Sequence, residues 1–186
     1  LVTRTAGGLA YLEINTQNLT AGKHVKLCAG PASLAVMGET GISFYVSPVR
    51  AVLPTAISSN PQQELHLECE AACSSTTMAF LAESCDNATM HMSGNALTEV
   101  PGTVPKRWRL VVDGSPLASG QRYKICIDAD GAGIDYNVGD TGLTVYVSPV
   151  KEFHVAGVPL GSHAKLNVLC EDGFCSNESQ GYLARS

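Results

Sequence analysis

Residues 40–49 read TGISFYVSPV and residues 141–150 read TGLTVYVSPV. The match holds register from Gly38 and Gly139 through Glu70 and Glu171 without a gap. Upstream, Leu19-x-x-Gly22 lies against Leu117-x-x-Gly120, and Lys26-Leu27-Cys28 against Lys124-Ile125-Cys126. Downstream, Leu65 to Cys69 lies against Leu166 to Cys170. Cys73 matches Cys175 after a one-residue insertion, and Phe80-Leu81-Ala82 matches Tyr182-Leu183-Ala184. A period of about 100 residues is too long for a solenoid unit and suits a small globular module. The chain is therefore expected to hold two copies of one domain. The expected division is module 1 at 1–98, a short proline-stiffened linker at 99–106 (EVPGTVPK), and module 2 at 107–186. In the same register Cys85 falls opposite position 187, so the second module is expected to lack its last strand or to be cut from a longer array.

Within the repeat, side chains alternate with period two. Ile42, Phe44 and Val46 share one face while Ser43, Tyr45 and Ser47 share the other. Leu143, Val145 and Val147 repeat the apolar set, and Leu65, Leu67 and Cys69 form another with its copy at Leu166, Val168 and Cys170. Clusters of Gly, Pro, Asn and Ser separate such segments, which predicts strands and turns throughout. Strands are expected near 9–16, 22–29, 41–49, 51–57, 63–69, 76–85 and 88–98. The second half should carry them near 107–113, 120–127, 142–150, 152–158, 164–170 and 179–186. Pro48 and Pro149 suit a strand's end. The plain account of Tyr45 and Tyr146 is a strand that stops there and crosses between sheets; a functional account makes them contacts between modules.

Seven short strands at this spacing in the first half, and six in the second, resemble the immunoglobulin-like sandwiches of extracellular surface and filament proteins. The resemblance covers both halves at the level of fold. It implies an all-β chain of two tandem antiparallel β-sandwich modules.

The 186 residues carry 12 Lys and Arg against 17 Asp and Glu, a formal net charge of −5. There is no basic cluster, so no nucleic-acid partner is expected. No apolar run is long enough for a membrane span. Leu1 rather than Met opens the sequence, and a removed or omitted upstream segment is expected. Seven cysteines point to an oxidising compartment. The sequons Asn18-Leu19-Thr20, Asn87-Ala88-Thr89 and Asn177-Glu178-Ser179 point the same way, toward an extracellular or cell-surface protein bearing N-linked glycans.

If strands run up and down in order, the second and sixth of a module are parallel and their far ends meet. A Cys28–Cys85 bridge is then expected, contributing about 3–4 kcal/mol by chain entropy. Cys69–Cys73 and Cys170–Cys175 would bridge locally across a turn, leaving Cys126 unpaired. Spacing alone leaves other connectivities open.

Residues 128–140 read DADGAGIDYNVGD. Asp128, Asp130, Asp135 and Asp140 offer oxygen ligands of the kind calcium takes, without EF-hand spacing. Ordinary turn geometry explains the same Asp and Gly content, so no cofactor is expected. His66, Cys69 and Cys73 could hold zinc, but the second half has Asn167 in place of the histidine. No G-x-S-x-G elbow is present, and no His and acid recur as a pair in both copies, so no enzymatic activity is expected. The function expected is that of a structural subunit in an extracellular filament or surface array. Its partners would be copies of itself, added head-to-tail by strand donation. The alternative is a ligand- or cell-binding ectodomain fragment of an adhesin or receptor.

Overall fold

A computed structural model describes residues 2–4, 10–30, 37–69, 71–86, 91–129, 131, 138–153, 161 and 166–181. Among these residues every regular element is a strand. β1 (Val2–Arg4) and β2 (Ala10–Leu12) form an antiparallel pair, and β3 (Lys23–Ala29) and β4 (Gly38–Val46) form another. Then come β5 (Val49–Leu53), β6 (Ala56–Ser58), β7 (Gln63–Cys69), β8 (Met78–Ala82) and β9 (His91–Ala96). They are followed by β10 (Thr98–Val100), β11 (Arg107–Val112), β12 (Arg122–Asp128) and β13 (Gly139–Ser148). β14 (Val150–Phe153) and β15 (Val168–Cys170) form a last antiparallel pair.

The nine strands from β5 to β13 make two sheets. One has the order β10-β11-β7-β5 and is antiparallel throughout; the other has the order β6-β13-β12-β8-β9. Within the second sheet only β6 and β13 pair in parallel. The inward residues of both sheets meet in one core: Leu65, Leu67, Leu110 and Val112 from the first, Leu81, Tyr123, Ile125, Val145 and Val147 from the second. Period-two alternation explains which residues face in. β7 buries Leu65, Leu67 and Cys69 and leaves the positions between them partly open. Each large apolar side chain so buried contributes about 1.5–3 kcal/mol. Trp108, the only tryptophan, belongs to this core, 3% exposed.

This sandwich corrects the expected division of the chain. It draws strands from both sides of 99–106, and that segment is no linker. β10 and β11 pair across it, and the Thr103 hydroxyl closes the turn, donating to the Val100 carbonyl and accepting from the Arg107 N–H. Instead of one complete and one incomplete module in succession, a complete sandwich spans 49–148, with partial sheets before and after it. A sequence repeat fixes the period of the unit but leaves its starting residue free.

The cysteine pairing changes with the unit. Cys85 bonds Cys126, not Cys28, and Cys28 is the exposed free thiol. The cause is strand order: β8, which leads to Cys85, lies beside β12, with Phe80 opposite Cys126, whereas Cys28 sits on β3 in another sheet. The local bridges Cys69–Cys73 and Cys170–Cys175 are present.

Candidate functional site at the repeat junctions

The flanking hairpins repeat elements of the sandwich at atomic detail. In β3–β4, His24 stands opposite Tyr45, Lys26 opposite Ser43 and Cys28 opposite Glu39, with a bulge between Lys26 and Cys28. In β12–β13, Arg122 stands opposite Tyr146, Lys124 opposite Thr144 and Cys126 opposite Asp140, with the bulge at the same place. Lys26 bonds Glu39 at 2.9 Å and Lys124 bonds Asp140 at 2.7 Å. Burial pushes the Asp140 carboxyl up, but its bond from Lys124 and the Gly142 N–H bring it below the usual range. The hydroxyls of Thr40 and Thr141 each donate at 2.8 Å to the partner strand's carbonyl, Leu27 or Ile125. The rings repeat too: His24 lies 5.1 Å from Tyr45, and the Arg122 guanidinium lies 5.6 Å from the Tyr146 ring.

At the C-terminal end the copy is of β5–β7. Val49 faces Cys69 there, and Val150 faces Cys170 in β14–β15, each with a bulge before the next pair. Ser47 and Ser148 cap the start of their strands identically, each hydroxyl accepting the N–H of Val49 or Val150 at 3.1 Å.

Two junctions join the sandwich to these copies. At the first, the Tyr45 ring lies flat against Gly139, so closely that a Cβ there would stand 2.1 Å from ring carbons. Gly22, at φ +80°, brings its own backbone against Ala129; a Cβ at Gly22 would lie 2.9 Å from that methyl. The Tyr45 hydroxyl is buried and has no hydrogen-bond partner among the described residues. Burial and the nearby Asp128 charge push its pKa up to about 12. At the second junction the Glu171 carboxylate accepts from the hydroxyls of Ser119 and Ser59. Those two bonds hold its pKa below the ordinary carboxylate value. Phe174 stands beside Gly120. Gly120 precedes β12 and Ala129 follows it, so the junctions occupy opposite ends of that strand.

Of the other residues singled out from sequence, Asn18 and Asn177 lie in exposed turns, as glycan acceptors must, and Asn87 lies outside the described residues. Asp130 and Asp135 also lie outside them. Asp128 accepts from the Gly131 N–H and Asp140 is tied to Lys124. No group of three metal-ligating side chains occurs among the described residues. His66 lies 3.1 Å from Glu64 on the outer face, and Cys69 is spent in its bridge. Gly139 was not singled out from sequence, although Gly38 and Gly139 match between the copies, as do Tyr45 and Tyr146 further along the same segment. Ser119 gave no such signal, because Ala21 stands in its place in the other copy. No known family model, curated protein or solved structure matches this chain.

Proposed function

We propose that the chain is a structural unit of an extracellular, glycosylated filament or surface array in which immunoglobulin-like sandwiches follow one another head to tail. One observation carries this reading: each end of the sandwich is packed against a copy of its own strands, through the Tyr45–Gly139 and Glu171–Ser119 contacts. Such a head-to-tail junction can repeat from copy to copy, and builds a fibre where its rotation does not close a ring. Three disulfides in a chain of this size suit an oxidising compartment, and exposed sequons suit glycans on the outside.

Sedimentation and light scattering of the isolated chain over a wide concentration range test the reading. Oligomers that lengthen with concentration and appear as thin fibres in electron micrographs are expected. A monomer at every concentration would overturn it.

A further inference from the structure

We propose that the two flanking sheets are complementary halves of one sandwich. The β14–β15 hairpin of one copy covers the β3–β4 hairpin of the next, closing between two chains the core that residues 49–148 close within one. The inference rests on the head-to-tail assembly proposed above and specifies the contact that makes it.

The occupant is read from the duplication itself. In the complete sandwich β12–β13 and β5–β7 are opposing layers: Tyr123, Ile125, Val145 and Val147 share one core with Val49, Val52, Leu65 and Leu67, and all eight are 5% exposed or less. Their counterparts lack that cover. Val25, Leu27, Phe44 and Val46 are only half-buried, and Ile42 is 57% exposed. On the other hairpin Val168, the counterpart of Leu67, is 49% exposed. The apolar residues on β3–β4 line an open groove of ≈ 380 Å³ with Ile14 and Leu19.

The β3–β4 face keeps the volume it needs. Tyr123 faces Val145 across β12 and β13, whereas Val25 faces Phe44 across β3 and β4. The aromatic ring has changed strand, but the pair still holds one ring and one valine, so the same opposing layer fits. The backbone agrees. β2 precedes β3 and pairs with β1 as β11 precedes β12 and pairs with β10. β11 takes β7 as its second neighbour. Among the described residues β2 and β15 each have a single neighbouring strand, which leaves one edge to pair in the same way. Neither described sequon interferes: Asn18 and Asn177 correspond to Pro116 and Ser75, which are exposed in the complete sandwich. One chain cannot satisfy itself, because its two hairpins are anchored at opposite ends of β12.

The test uses the full chain and two variants, each with one face spoiled: Phe44→Asp on the first hairpin and Val168→Asp on the last. Neither residue is in the sandwich core, so Trp108 fluorescence should report an intact sandwich in both. Each variant alone is expected to stay monomeric. Mixed one to one, they should form a heterodimer and stop there, since only one sound pair of faces exists. Sedimentation of the mixture and of each variant alone gives the readout. Fibres that persist in both variants would overturn this contact and leave the filament standing. A variant that dimerises with itself would also overturn it, by showing a symmetric contact. An unaltered chain that stays monomeric at every concentration would overturn both.

Discussion

At the scale of single residues, the junction before the sandwich depends on one absent side chain. Gly139 leaves room for the Tyr45 ring, and any Cβ there would stand 2.1 Å from it. Gly139→Val is expected to cost the docked hairpin about 1–3 kcal/mol through overpacking, while β13 keeps its pairing. Tyr45→Ala removes the obstacle, so the double variant should be less than additive by about 1 kcal/mol or more. The protein carries its own probes for this: Trp108 as donor and a label on the free thiol Cys28 as acceptor in energy transfer. Additive effects would mean that ring and glycine are not in contact. Tyr45 also sets a pH dependence. Its docked pKa, about 12, is raised above the value of 10.0 for a free tyrosine by burial first and Asp128 second. Docking favoured by the neutral phenol is thus fully present below pH 10 and is lost as pH rises toward 12. Tyr45→Phe should remove that loss. Because the hydroxyl has no partner among the described residues, it should also strengthen docking at neutral pH by about 1 kcal/mol. Weaker docking of the Phe variant at neutral pH would show that the hydroxyl is bonded.

At the scale of elements, much of the fold was legible. Strands near 22–29, 63–69 and 107–113 lie where alternation places them, at Lys23–Ala29, Gln63–Cys69 and Arg107–Val112. The inward set Leu65, Leu67 and Cys69 is buried as period two requires. Ile42 and Phe44 carry the same signal as Leu143 and Val145, but only the second pair lies under a facing sheet; periodicity marks a face and is silent on what covers it. The Cys28–Cys85 pairing failed for a related reason. Strand order within 1–98 points to it, whereas β8 takes its neighbour from the other half of the sequence. Pairings that distant leave no local mark. The observed Cys85–Cys126 bridge spans a sequence separation of 41, for which chain entropy gives about 4 kcal/mol. Cys85→Ser with Cys126→Ser is expected to lower the denaturation midpoint of Trp108 fluorescence accordingly. Loss of Cys69–Cys73, a separation of 4, should cost about 2 kcal/mol. A larger loss from Cys28→Ser than from the Cys85–Cys126 pair would contradict the strand order.

At the scale of the whole molecule, the phase of the repeat is decided by the reach of two residues. Residues 1–98 contain a copy of every strand in the sandwich: β1 to β4 stand for β10 to β13, and β5 to β9 follow. Such a set would close into a circularly permuted sandwich with a Cys28–Cys85 bridge, if β4 could take the place of β13. Geometry prevents it. The Tyr45 ring touches Gly139, so β5, which starts at Val49, begins near the Gly139 end of β13. β13 leaves the sandwich at Ser148, about 30 Å further along a strand. Between β4 and β5 stand only Ser47 and Pro48, which reach about 10 Å. The chain must therefore leave the β3–β4 sheet and enter the sandwich at this point. Residues 47–150 expressed alone are thus expected to unfold cooperatively, with the Trp108 signal of the full chain, and 1–98 to show no cooperative transition. Lengthening the connector should reverse the second result. About fifteen Gly and Ser residues inserted after Ser47 can reach about 50 Å extended, enough to bring β4 back across the sheet. The extended fragment is expected to fold and to oxidise Cys28 with Cys85, read by mass spectrometry of non-reduced peptides. If 1–98 folds with its natural Ser47-Pro48 connector and forms that bridge, the unit begins at residue 1 and the assignment of 49–148 as the sandwich falls. If the insertion restores folding and the natural connector does not, the shortness of Ser47-Pro48 is what converts a self-contained repeat into a chain of docked ones.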